Sequence, residues 1–277
     1  MLRGIEGAEY VVYINLAHRV DRREATEREM HRLGVRAPRR FDAIRMPANG
    51  ALGCTLSHVA VLEMALREAW PYVIVVEDDI CFTQPDTFRR LFARFLATHR
   101  GVAARREARE DEKEAKEGAK EEGEAKDGGE EGGAEEWDVL LLAGLNNAPF
   151  RVHNEVSVRV GNCQTTTGYM VPRHYMGTLL TNFREGMEGL RLYPHLHTKF
   201  AVDMYWKRLQ LKDRWFLLAP QTVVQRDGYS DIEGRPTSYG EFMLSLSAAD
   251  VARARRAEIG SRMSQVVAAS AGTRSGV

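Results

Sequence analysis

The stretch Pro71-Tyr-Val-Ile-Val-Val-Glu-Asp-Asp79 decides the fold. Pro71 stops the helical pattern before it, and Tyr72 to Val76 is a continuous apolar run, rich in β-branched residues, of the kind that fills a central strand covered on both faces. The run ends abruptly in three acids. Side chains alternate along a strand, so Glu77 and Asp79 are expected on one side and Asp78 on the other. Two converging carboxylates on a rigid element make a hard-oxygen site for Mn²⁺ or Mg²⁺, with positions left for phosphate oxygens and water. On spacing alone, three acids that merely solubilise a strand end are an equal alternative.

Working upstream, Val59, Leu62, Leu66 and Ala69 recur at helical steps from Gly53 onward, with Thr55 or Ser57 as the expected N-cap. Further back, Tyr10 to Leu16 is too short and too β-branched for a helix and reads as a buried strand. A helix follows it, with Asp21 and Glu24 at capping-box spacing and Gly34 after Met30 and Leu33 as its end. The loop between them, Ala17 to Val20, lies where α/β folds place ligand groups. Downstream, strands are predicted over Trp137 to Leu142, Val156 to Val160, Thr166 to Val171 and Trp215 to Leu218, and helices over Pro172 to Phe183 and Val202 to Leu211. The alternation predicts an α/β fold, a mostly parallel sheet with helices on both faces.

The chain has 277 residues, 44% apolar, enough for a large core, and its 39 basic and 39 acidic residues cancel. The cancellation hides two unequal parts, because residues 103–136 hold 14 acids against 7 basic residues and no aromatic or large aliphatic side chain. Such a segment cannot bury enough apolar surface to offset chain entropy and reads as a charged low-complexity insertion, helix-compatible over 103–122 and flexible over 123–133. The domain is expected over residues 1–244 around it, with a helix and fraying tail over 245–277. The body outside the insertion is Arg-rich, yet the balanced total argues against a nucleic-acid groove. Cys54, Cys81 and Cys163 match no metal or redox spacing, so free thiols in a reducing interior are expected. The N-terminus carries no apolar leader and no window is long enough to span a membrane, which predicts a soluble protein of the cytoplasm or the cytosolic face.

Several motifs in one order carry a resemblance. Tyr13-Ile-Asn-Leu16 with Arg19, Asp21 and Arg22, then Phe41-Asp42-Ala43, Gly53-Cys-Thr-Leu-Ser-His58 and Val73 to Asp79 resemble glycosyltransferase family 25, which includes lipopolysaccharide and collagen-hydroxylysine galactosyltransferases. Thr167-Gly168-Tyr169, Asp203, and Gln225 followed by Gly228, Ser230, Asp231 and Ile232 continue in the family's order, so the similarity runs from about Tyr10 to Tyr239 without the insertion.

The resemblance implies a GT-A-type nucleotide-diphospho-sugar transferase fold and a UDP-sugar donor. Carried onto this chain, Asp79 is the principal metal ligand with Glu77 assisting, Mn²⁺ is the expected ion and Mg²⁺ the alternative, and Asp78 anchors the loop. Arg19 and, with less weight, Arg22 are expected on uridine or diphosphate, because guanidinium forks suit phosphate oxygens. Asn15, Leu16, Ser57, His58, Glu77, Asp78, Thr166 and Gln225 complete the expected donor-binding set, Ser57 and His58 through a helix N-terminus that favours anions. Asp203 is the candidate catalytic base for the attacking hydroxyl, against a simple N-cap. His195 and His197 are weaker candidates to complete a metal shell, and Thr165, Thr166 and Thr167 could bond sugar hydroxyls or simply form a strand.

These features lead to a hexosyltransferase, galactose first and glucose second, inverting, acting on a hydroxyl of a glycan or a hydroxylysine-type side chain. A non-catalytic nucleotide-sugar or carbohydrate-binding module on the same fold is the alternative, and an acid-cluster phosphohydrolase or nuclease the third reading. Two departures from the family pattern, a short spacing from Ala43 to Gly53 and the insertion after Phe95, bear on the donor pocket and the surface respectively.

Overall fold

The structure is a computed structural model that describes residues 8–35, 37–99, 137–146, 150–247 and 249–257. The sequence-predicted insertion over 103–136 and the tail beyond 257 lie outside the described residues. In chain order the elements begin with β1 (Val11–Asn15), α1 (Val20–Leu33), β2 (Arg39–Asp42), α2 (Gly50–Arg67), β3 (Tyr72–Glu77), β4 (Ile80–Phe82) and α3 (85–99). There follow β5 (Val139–Leu141), β6 (Leu145–Asn146), β7 (Phe150–Val152), β8 (Ser157–Val160), β9 (Cys163–Gln164), β10 (Gly168–Pro172) and α4 (Arg173–Leu192). The short helices α5 (His197–Phe200), α6 (Val202–Tyr205) and α7 (Lys207–Gln210) lead to β11 (Trp215–Leu218), β12 (Val223–Gln225), the hairpin β13 (Gly228–Ser230) and β14 (Arg235–Thr237), α8 (Gly240–Met243) and α9 (249–257).

The fold is α/β. An eight-stranded sheet runs in the order β2-β1-β3-β10-β5-β11-β8-β7. Six strands point one way, and only β10 and β8 run against them. Alternation along the buried central strands splits the core in two. Val12, Ile14, Val73 and Val75 face α2 and α4, while Val11, Tyr13, Ile74 and Val76 face α1 and α3. Each such side chain taken out of water contributes about 1.5–3 kcal/mol, which is why these short strands need helices on both sides. No helix of the described residues is long and apolar enough to cross a membrane.

Four local readings change, one being that the helix predicted over Val202 to Leu211 is two short ones, α6 and α7, parted at Trp206. Asp21 does not cap α1: the N-cap is Arg19, with no side-chain bond to the backbone, and Asp21 lies inside the helix, paired with the Arg19 guanidinium at 3.0 Å. Gly34 does end it, at φ 82°. The second helix begins three residues before Gly53, capped by the Asn49 side chain accepting from Leu52 N–H at 3.1 Å. Thr55 and Ser57 are therefore interior and bond back to Ala51 and Gly53 carbonyls. The fourth helix runs on past Phe183, because Gly186 and Gly189 are contact points where the Phe200 carbonyl and ring lie against the backbone.

Candidate functional site

The carboxyl ends of β1, β2 and β3 open on one edge of the sheet. Since β10 runs the other way, its start returns to that edge, and Glu77 N–H donates to Thr167 O at 3.1 Å. A cleft of about 300 Å³ lies there, outside the strand ends where α/β sheets commonly hold ligands. Its walls are Ile14 at the end of β1 and Leu16 just after it, the segment 43–47, the first turns of α2 and the β13–β14 hairpin, and its floor is Glu77, Asp78 and Asp79.

The three acids do not divide as strand alternation predicts. Only Glu77 belongs to β3; Asp78 and Asp79 form the turn into β4, and all three reach the cleft. Asp78 accepts from Asn15 Nδ2 and from Arg22 Nη1, both at 2.8 Å, and so ties the strand end to β1 and α1. Burial raises its pKa against the pull of Arg22. Asp79 accepts from Gln225 Nε2 at 3.0 Å through Oδ2 and lies 3.6 Å from Arg22. Its other oxygen, Oδ1, is buried with no hydrogen-bond partner. Burial first, then repulsion from Glu77, push the Asp79 carboxyl up to about 7.

Glu77 is built differently. Thr166 Oγ1 donates to its Oε1 at 2.7 Å, His58 Nε2 lies 3.3 Å away and Cys54 Sγ 3.6 Å away. Burial alone would raise this carboxyl; the bonds and charge of His58, with Thr166 and Cys54, outweigh it and bring it below its ordinary value. Among the described residues its hydrogen bonds run to Oε1, which leaves Oε2 unbonded.

The two arginines exchange weight. Arg19 is held by Asp21 and, at 2.6 Å, by Asp231 of the hairpin, whereas Arg22 lines the cleft against Asp78 and Asp79 and donates to Tyr229 O at 2.8 Å. Its half-buried guanidinium keeps its proton more firmly than usual because the two carboxylates outweigh the desolvation. Asn15 is fully buried, bonding Asp78 and accepting from Arg40 Nε at 3.0 Å. Leu16 supplies apolar wall.

Ser57 and His58 lie two turns inside α2, so the helix-terminus reason for choosing them fails. Ser57 Oγ accepts from Ile44 N–H at 2.9 Å, pinning the segment 43–47 that shapes the cleft. His58 is fully buried between Glu77 and Tyr169, with Nδ1 2.9 Å from the phenol oxygen. Thr165 sits at φ 80°, and its N–H donates to Asp203 Oδ2 at 3.1 Å. Asp203 lies inside the first turn of α6, whose N-cap is Ala201, and burial, with Glu77 within electrostatic reach, raises its pKa. It is outside the cleft lining. His195 and His197 are exposed and line no part of the cleft.

Sequence reasoning gave Cys54 no site role, taking it as a free thiol. It lines the cleft beside Glu77, and its position one turn before His58 was the available signal. Asp231 was marked by the motif order, but the contact of Tyr229 had no such signal, since it depends on how β13 and β14 fold back over the start of α1.

Comparison with known proteins adds three findings. No curated protein matches the chain. Among solved structures it is similar to mannose-1-phosphate geranyltransferase from Thermus thermophilus at 14% identity and a TM-score of 0.33, over 75% of this chain and 58% of that one. The chain thus spans less than two thirds of that protein's length. Residues 39–99, which carry Phe41-Asp42-Ala43, Gly53 to His58 and Val73 to Asp79, match the family described as glycosyltransferase family 25 (LPS biosynthesis protein), bearing out the resemblance over that stretch.

Proposed function

We propose that the chain is a glycosyltransferase that moves a hexose, galactose first and glucose second, from a UDP-sugar to a hydroxyl of a glycan or a hydroxylysine-type side chain, with inversion. The family match over residues 39–99 supports the transferase class. The observation that carries the reading is Asp79 Oδ1, a buried carboxylate oxygen with no partner, at the floor of a cleft that also holds Arg22. A buried carboxylate oxygen left without a partner is costly, and a divalent cation is one ligand that compensates it.

Asp79 through Oδ1 and Glu77 through Oε2 fit Mn²⁺, with Mg²⁺ as the alternative, and the ion would supply positive charge to the diphosphate as it leaves. Arg22 is placed to add a fixed positive charge on the phosphate side, and Gln225 orients Asp79. Ile14, Leu16 and the segment 43–47, pinned by Ser57, form the wall against which a uracil ring would rest. Asp203, with its raised pKa, is proposed to take the proton of the acceptor hydroxyl.

The test is thermal shift and UDP release with the full chain, Mn²⁺ and a panel of nucleotide sugars. UDP-galactose or UDP-glucose should stabilise the wild type in the presence of Mn²⁺, and Asp79→Asn should abolish the effect. If no UDP-sugar stabilises the wild type, or if Asp79→Asn binds equally well, the reading is wrong. Donor binding with no transfer or hydrolysis over prolonged incubation would instead identify a binding module.

A further inference from the structure

Cys54 and His58 stand one turn apart on α2 and both face Glu77 at the end of β3. Cys54 Sγ is 3.6 Å and His58 Nε2 3.3 Å from Glu77 Oε1, and the three atoms all lie within 4.8 Å of one another. Around a tetrahedral Zn²⁺, with bonds of about 2.3 Å to sulfur and about 2.0 Å to nitrogen and oxygen, ligand atoms stand roughly 3.3–3.6 Å apart. The two separations from Glu77 match that spacing.

The surroundings fit as well. His58 Nδ1 is taken by the Tyr169 hydroxyl at 2.9 Å, which fixes the ring with Nε2 toward Glu77. Thr166 fixes the carboxylate from the other side. Metal-ligating histidines and carboxylates are ordinarily held by outer bonds of this kind. Both Cys54 and Glu77 line the cleft, so a fourth position is open to solvent or substrate, as in three-ligand zinc sites.

We propose that Cys54, His58 and Glu77 form a binding site for a thiophilic divalent cation, Zn²⁺ or its spectroscopic substitute Co²⁺, separate from the hard-oxygen position on Asp79. Asp79 lies outside the group of three. Glu77 stands between the two positions, with Oε1 turned to sulfur and imidazole and Oε2 left for the harder ion. The two cation positions therefore share one carboxylate, each through its own oxygen.

The experiment titrates the metal-free full chain with Co²⁺, without donor, so its outcome does not depend on whether the protein transfers sugar. A thiolate-to-Co²⁺ charge-transfer band saturating at one equivalent and bleached by Zn²⁺ is expected. Cys54→Ser should abolish the band, His58→Gln should weaken Co²⁺ binding by at least the roughly 10–100-fold that loss of a mere outer partner costs, and Asp79→Asn should leave the band intact. No sulfur band in the wild type, a band that persists in Cys54→Ser, or its loss in Asp79→Asn overturns the proposal. Should Cys54→Ser fail to fold, Zn²⁺ protection of Cys54 from alkylation in the wild type, read by peptide mass spectrometry, decides the same question, and absence of protection overturns it.

Discussion

Thr166 Oγ1 donates to Glu77 Oε1 at 2.7 Å, so the residues that enter β10 hold the carboxylate that ends β3. The neighbouring Thr165 N–H holds Asp203. Two acids proposed for donor and acceptor sides therefore depend on consecutive residues of one loop. Replacing Thr166 by Val keeps the shape and deletes the bond. Mn²⁺ affinity, measured by calorimetry, should fall about tenfold or more, in line with the usual effect of removing an outer bond to a ligating group. An unchanged affinity would mean that Thr166 does not orient Glu77 for a cation.

Thr165 is a β-branched residue at φ 80°, a backbone region that costs a non-glycine residue about 1–3 kcal/mol. Thr165→Gly should raise stability by about 1 kcal/mol in chemical denaturation, after the loss of the Thr167-to-Thr165 hydroxyl bond and the added entropy of glycine are set against the relief. Turnover should fall in the same variant, because Asp203 loses a rigid partner. Destabilisation would show that the loop holds no strain.

Gly53 marks a close approach rather than a helix start. A Cβ there would stand 2.5 Å from the Ile44 carbonyl oxygen and 3.1 Å from Met46 N, both backbone atoms of the segment that walls the cleft. Backbone cannot rotate away as a side chain can. Gly53→Ala should cost about 1–3 kcal/mol and displace that wall, raising KM for the donor more than it lowers kcat. A fully stable variant with wild-type KM would refute this placement.

What the sequence made legible follows from which forces are local. The buried strands β1, β3 and β11 were readable because each is a short, dense apolar run, and Trp215 to Leu218 coincides with its strand. Gly34 was readable because a left-handed C-cap is a local demand. Gly53 was misread, and Gly186 and Gly189 went unread, for the converse reason: their absence of a side chain answers Ile44 and Phe200, residues outside their own helices. The acid cluster was legible from the apolar strand that it ends, and its neighbours Asn15 and Gln225 through the motif resemblance, yet the ranking of Arg22 above Arg19 at the cleft was not recoverable. That ranking depends on the hairpin, whose Asp231 occupies Arg19.

Asp138 shows what a stabilising buried acid looks like in this protein. It accepts from Arg214 N–H and its guanidinium at 2.8–3.1 Å and lies 3.3 Å from His174 Nε2, and although burial opposes it, these bonds hold its carboxyl far below the ordinary range. A depressed acid contributes stability that is full above the unfolded value, about 3.9, and is lost as pH falls through the folded one. Asp138→Asn should cost about 3 kcal/mol at neutral pH. The difference from wild type should narrow as the pH is lowered below about 4, and a constant difference across that range would count against the ion pairing.

Asp79 is the opposite case, and its sign runs the other way. Its carboxyl is raised from 3.8 to about 7, so the folded protein keeps a proton that the unfolded chain releases, and this group makes the metal-free protein less stable as pH rises from about 4 to 7. Above that range the penalty is complete, with Glu77 and Asp78 beside it and Oδ1 unpaired. Asn is nearly isosteric, carries no charge and can still accept from Gln225. Asp79→Asn should therefore be more stable than the metal-free wild type by on the order of 1–2 kcal/mol at about pH 8, after the lost attraction to Arg22 is deducted, and indistinguishable from it near pH 4. Mn²⁺ should raise the Tm of the wild type at pH 8 and leave that of the variant unchanged, because a bound cation supplies the partner that Oδ1 lacks. A variant less stable than the metal-free wild type at pH 8 would show that Asp79 is a structural acid like Asp138, and would remove the physical ground for placing a cation in the cleft.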